Sequence, residues 1–211
     1  MCKLKSAIIL KDRVFIPDYD SHSEMLAELG IEDTKANAER LFVRAELSPK
    51  GGDVFSDIDT WAFTVDQDIR PDWFVEEYEK GRMVEAVKAW AKDHIHIGVN
   101  GLKINSGSNH YIKDCKNVVI NNSTVKVYGN STVGAYDNST VEAWGNSTVK
   151  AWDNSTVKAY DNSTVVKTEY SAFNKSHLIL SNNATFKDCE AKIIYQSGDY
   201  KLVSVTDGKV E

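Results

Sequence analysis

The chain has 211 residues, 42% of them hydrophobic and 27% charged, with a formal net charge of −6. This is the composition of a folded domain with a core, and it excludes collagen, mucin and wholesale disorder. The acid excess argues against a general nucleic-acid binder, no apolar run reaches the roughly 18 residues of a membrane span, and the three cysteines, with no CxxC pair, fit a reducing compartment.

The first apolar run, Ala7-Ile8-Ile9-Leu10, is too short for a signal peptide, so a cytoplasmic protein is expected. Ser6–Leu10 and Arg13–Ile16 flank Lys11-Asp12 and read as a hairpin. Ser21-His22-Ser23-Glu24 is a capping box opening a helix through Met25, Leu26 and Leu29 that stops at Gly30. Thr34 caps a second short helix to Arg40. Leu41–Leu47 alternates as a half-buried strand, and Thr60–Val65 is another. Pro71-Asp72 opens the longest helix, to Asp93, with an apolar stripe of Phe74, Tyr78, Val84, Val87, Trp90 and Ala91. This order predicts a small α+β domain over residues 1–98, with the helices on one face of an antiparallel sheet.

Residues 1–100 carry 13 Lys/Arg against 20 Asp/Glu, while residues 101–211 carry 12 against 11. The acidity thus belongs to the first half. It reads either as a solvated surface or as a face that docks a basic partner, and Asp57, Asp59, Asp66 and Asp68 are its candidate residues. The spacings Asp57-x-Asp59 and Asp66-x-Asp68 put each pair on one strand face, yet no Gly-rich phosphate loop accompanies them. His94-x-His96 has the spacing of two zinc ligands on a strand, but no third ligand is evident. No metal and no cofactor are expected. Cys115 and Cys189 read as buried thiols, and no GxSxG, HExxH or Walker motif occurs.

From Asn122 the chain becomes a repeat. Asn-Ser-Thr-Val begins at Asn122, Asn130, Asn138, Asn146, Asn154 and Asn162, eight residues apart each time. Within each octad Ser, Val and Ala alternate with Thr, a variable residue and an aromatic, and Asp or Gly followed by Asn supplies a turn. One octad is a strand and a turn, which cannot close a coil; two can. The turn residues Gly129, Asp137, Gly145 and Asp153 match at steps of 16, as do Lys126, Glu142 and Lys158. The prediction is a β-solenoid of 16-residue coils over residues 99–211, with octads at 122–169 and a C-terminal cap. Small residues such as Val133/Ala135 and Val141/Ala143 fill its interior. Outside, Tyr128, Trp144 and Tyr160 stack on one face and Tyr136 and Trp152 on the other, while Lys126, Glu142 and Lys158 form a ladder of alternating charge. Asn183-Ala184-Thr185-Phe186 is a worn copy out of octad register, so a loop near Lys167–Phe173 is needed to absorb the difference. The six-residue period of hexapeptide acyltransferases is absent.

The octad resembles the repeat of bacterial ice-nucleation proteins, in which similar octads pair into 16-residue β-solenoid coils. That resemblance implies the architecture. It does not imply ice binding, because Thr132 is followed on its face by Gly134 and Tyr136 rather than by a second Thr. Taken whole, the chain is similar to proteins of gut Firmicutes and their phages that join an acidic head to an octad tail. Lys3–Asp20, Asp93–Gly98 and the octads carry this likeness. It implies a bacterial or phage setting and no particular chemistry.

The reading that follows is a non-enzymatic binding protein that interferes with a host protein or signalling molecule. The aromatic ladders and the acidic face are its binding surfaces. The partner is a protein or a small ligand, with self-association into a homo-oligomer and no membrane. Two alternatives stand beside it: a structural module that self-assembles as a scaffold or fibre piece, and an enzyme with a site where head and solenoid join.

Overall fold

A computed structural model describes residues 5–168, 171–172, 178–191, 193–196, 202–206 and 209–210. Cys2 lies outside these. The chain divides into two compact units, Met1–Ile95 and His96–Glu211.

The first unit is built on an antiparallel sheet in the order β2-β1-β3-β4, from β1 (Lys5–Leu10), β2 (Val14–Phe15), β3 (Phe42–Ser48) and β4 (Ala62–Val65). Three helices accompany it: α1 (His22–Glu28), α2 (Lys35–Ala38) and α3 (Glu76–His94). Ser21 and Thr34 cap α1 and α2 by accepting the Glu24 and Asn37 N–H, as their sequences predict. The helices do not share one face. Ile8, Leu10 and Phe42 pack with Met25, Leu26 and Ala38 of α1 and α2. Lys5, on the alternate face of β1, meets Trp90 of α3. All six residues of β1 are therefore buried, as a strand covered on both sides must be.

Helix α3 also departs from expectation. It begins at Glu76 rather than near Pro71, which leaves Phe74 ahead of it. Its buried stripe is Glu79, Met83, Val84, Val87, Trp90, Ala91 and His94, and Tyr78 is 66% exposed. Glu79 takes the inward position because its carboxylate is held 2.7 Å from Arg82 Nη1, which also donates to the Leu10 carbonyl at 3.2 Å.

The second unit is a β-solenoid. One sheet runs in parallel through β6 (Lys103–Ile104), β8 (Val118–Asn121), β10 (Thr132–Tyr136), β12 (Thr148–Ala151), β14 (Thr164–Lys167) and β16 (Thr185–Asp188). The other holds β5 (Ile95–Ile97), β7 (Gly107–Lys113), β9 (Ser123–Tyr128), β11 (Thr140–Ala143), β13 (Thr156–Ala159) and β15 (Leu178–Leu180). Thr132 pairs with Thr148 and Thr148 with Thr164; Thr124 pairs with Thr140 and Thr140 with Thr156. Each step is 16 residues, the predicted coil. Val133, Ala135, Val141, Ala143, Val149 and Ala151 are fully buried, so the small set fills the interior.

The serine column fastens one coil to the next. Ser139 Oγ donates to the Tyr136 carbonyl at 2.6 Å and lies 3.3 Å from the Ile120 carbonyl one coil earlier; Ser147 and Ser163 repeat the arrangement. The octad step carries on to a seventh member, Ser171, whose hydroxyl reaches the Ala151 carbonyl at 2.6 Å. The register then jumps: Val157 pairs with Leu178 and Thr164 with Thr185, each 21 residues on, so five extra residues enter before β15; Glu169, Tyr170 and Phe173 of the loop expected near Lys167–Phe173 lie outside the described residues. After β16 the sheet continues antiparallel through β17 (Ile193–Gln196), β18 (Leu202–Thr206) and β19 (Lys209–Val210), which cover its parallel edge.

Of the two cysteines expected to be buried thiols, Cys115 meets the expectation and Cys189 does not. Cys115 is buried in the serine column, its backbone N–H donating to Ser131 Oγ at 3.2 Å, whereas Cys189 is exposed. Cys189 lies where Trp152 and Thr168 stand in earlier coils, a position that faces outward.

Candidate interaction surfaces

The aromatic column is where the two faces of the solenoid carry recognisable chemistry. Strand alternation turns octad position seven outward, and the 16-residue coil lays each ring on the one before it. Tyr128 and Trp144 stack with centroids 4.9 Å apart and planes within 9°, and Trp144 and Tyr160 stack at 5.2 Å and 11°. On the opposite sheet Tyr136 and Trp152 stack at 4.4 Å and 6°. Parallel rings at these separations lie face to face and offset. The faces thus rest largely on neighbouring rings, and each ladder presents edges to solvent. All five rings are half-buried. Burial of Tyr128, helped by nearby Glu142, raises its phenol above the ordinary range.

Beside the first ladder run Lys126, Glu142 and Lys158, paired in register as predicted. Lys158 Nζ lies 3.1 Å from Glu142 Oε1, and this bond raises the lysine above its usual value. Lys126 turns the other way, its ammonium 5.6 Å over the Tyr111 ring. In the opposite sheet the same row reads Gly134, Lys150 and Val166.

The corners explain the turn chemistry. Asp114, Asn122, Gly129, Asp137, Gly145, Asp153, Asp161 and Asn182 all have positive φ, which is why this position holds only Gly, Asp or Asn. One corner stacks Asp114, Gly129, Gly145 and Asp161, with each Asp folded over a Gly. Asp114 Oδ1 accepts the Asn130 N–H at 2.8 Å and Asp161 Oδ2 accepts the Gly145 N–H at 3.1 Å.

In the first unit the four singled-out acids have separate situations. Asp57 accepts the Asp59 N–H in its own turn, Asp59 lies 2.7 Å from Lys88, Asp66 lies 3.3 Å from His22, and Asp68 is exposed. His94 and His96 are likewise engaged apart. His94 Nδ1 bonds the Trp90 carbonyl at 2.8 Å, Nε2 lies 2.9 Å from Asp18, and the ring stacks on Trp90 at 4.4 Å. His96 stacks with His110 at 6.4 Å. Among the described residues no group of three His, Cys, Asp or Glu is placed to hold a metal ion.

Sequence reasoning passed over a buried charge cluster in this unit. Lys5 is buried, donates to the Pro17 carbonyl at 2.6 Å and to Asp20 at 3.2 Å, and sits 4.9 Å over the Trp90 ring. Burial lowers its pKa against the pull of Asp20. With a side chain only 1% exposed it anchors the Pro17–Asp20 loop and is closed to any ligand.

Compared with known proteins, the chain matches no family model, no curated protein and no solved structure. The fold defines it as a mixed α/β unit followed by a parallel β-solenoid.

Proposed function

We propose that the protein is a non-enzymatic interaction protein, in which the solenoid is a rigid scaffold that self-associates and the acidic unit recruits a partner. One observation carries this reading: the interior is Ser, Val and Ala, while every aromatic of the octads stands in a straight outward row. Flat rows on a stiff base suit contact with another flat surface. The likeness of Lys3–Asp20, Asp93–Gly98 and the octads to proteins of gut Firmicutes and their phages supports interference with a host protein or signalling molecule as the outcome of that contact.

The test replaces Trp144 and Trp152 by Ala. Circular dichroism should keep its β-sheet signature, while native mass and partner capture from a bacterial lysate should both fall. Unchanged assembly and unchanged capture sink the reading. A purely structural module is the second reading, favoured by ring faces already occupied by one another; it predicts a stable assembly that captures nothing.

A further inference from the structure

The row beside the first ladder has a sign pattern that selects a partner. We infer that a second copy of this chain docks face to face on the sheet of β9, β11 and β13, with the two solenoids antiparallel and staggered so that Glu142 of each copy meets Lys158 of the other. This deepens the self-association reading above and rests on it.

Coils repeat about every 4.8 Å along the stack. Only a surface with the same repeat can meet every member of such a row, and a second copy has it by construction. A closed dimer needs a two-fold axis lying in the interface. An axis along the solenoid would set Lys126 on Lys126 and Glu142 on Glu142, which repel. An axis along the strands reverses the row instead. Centred between Glu142 and Lys158, it forms the Glu142–Lys158 contact twice. Lys126 then faces Ile179 of the second copy, which follows Lys158 in the row and is 51% exposed. The lysine stem can cover that apolar surface. In the same arrangement Trp144 of each copy meets Tyr160 of the other, edge to edge. Centring the axis between Lys126 and Glu142 instead sets Lys158 against Tyr111, which is only 4% exposed and already lies under Lys126. The opposite sheet offers no such choice, because its row of Val119, Gly134, Lys150, Val166 and Lys187 holds no acid.

The experiment uses the full chain and two charge reversals, Glu142→Lys and Lys158→Glu, followed by sedimentation and native mass spectrometry. The wild type should be a dimer of the 23.6 kDa chain. Each reversal alone should raise the dimer dissociation constant by about tenfold, two surface contacts turned repulsive. Mixing the two variants, one of them isotope-labelled, should restore a mixed dimer of near wild-type affinity, since each new Lys then meets a new Glu. The intramolecular Lys158–Glu142 bridge is not rebuilt by mixing, so a merely structural role predicts no rescue. A dimer indifferent to both reversals, or reversals that weaken it with no rescue on mixing, overturns this register and leaves the wider reading standing. A monomeric wild type overturns the inference itself, and the partner-capture arm of the Trp144 and Trp152 test then decides the wider reading separately.

Discussion

Trp152 lies parallel on Tyr136, and a Cβ at Gly134 would stand 3.0 Å from Tyr136 Cε2 and 3.4 Å from Trp152. Both rings lean over the octad's variable position at the one place where it carries no side chain. Gly134 has ordinary strand φ, so Ala there gains backbone entropy of about 0.5–1 kcal/mol but must push the Tyr136 ring aside. Gly134→Ala should therefore leave stability within about 1 kcal/mol of wild type. The Tyr136–Trp152 contribution to near-ultraviolet circular dichroism should fall. An unchanged near-ultraviolet spectrum would show that the rings do not rest on this strand.

Gly145 makes the opposite prediction. Its φ is +70°, and a Cβ would come 3.1 Å from the Gly129 carbonyl oxygen and 3.2 Å from the Gly129 nitrogen. Backbone cannot swing away as a ring can. Gly145→Ala should cost on the order of 1–3 kcal/mol in urea unfolding. Asp161→Asn should cost much less, because its remaining carboxamide oxygen can still accept the Gly145 N–H.

The octads were legible because identical residues recur at one spacing, so face, turn and coil length can all be read from repetition. The first coils were not, and the reason is local. Asn109, inside β7, and Asn117, immediately before β8, are extra residues with positive φ, so His110 pairs with Val125 and Val118 with Val133, 15 residues apart rather than 16. The following turn is one residue shorter, and Cys115 and Ser123 return to the eight-residue step. An insertion and a deletion that cancel leave spacing intact and hide the bulge. The aromatic rows could be placed from sequence, whereas the direction of Lys126 could not, because only the fold brings Tyr111 beneath it.

Helix α3 shows a second limit. An apolar side chain reads as core, yet Tyr78 is 66% exposed while its neighbour Glu79 is 2% exposed. The Glu79–Arg82 pair rewards the inward turn that Tyr78 would otherwise take. Tyr78→Ala should then change stability by less than about 0.5 kcal/mol, as surface substitutions do. Met83→Ala, fully buried, should cost about 2–5 kcal/mol. Thermal unfolding of the two variants side by side decides it, and equal costs would place Tyr78 back in the core.

Lys5 carries the pH prediction. Its pKa in the folded chain lies below the ordinary lysine value of 10.5, burial being the first cause, with Asp20 pulling the other way. A lysine whose folded pKa is depressed binds its proton less tightly folded than unfolded. The resulting penalty is fully present below the folded pKa and is relieved as pH rises through the folded pKa towards the ordinary lysine value. Tyrosines titrate in the same range, so the comparison must be internal: wild type against Lys5→Met across the alkaline window, by urea unfolding. Lys5→Met should be less stable at neutral pH, since it leaves Asp20 without its ammonium and the Pro17 carbonyl without its donor. The wild type should gain stability relative to the variant on moving from neutral pH into that window, as the burial penalty it alone carries is relieved. A wild type that loses ground to Lys5→Met over the same interval would mean that Asp20 and the Trp90 ring outweigh desolvation, and that the folded pKa lies above 10.5 rather than below it.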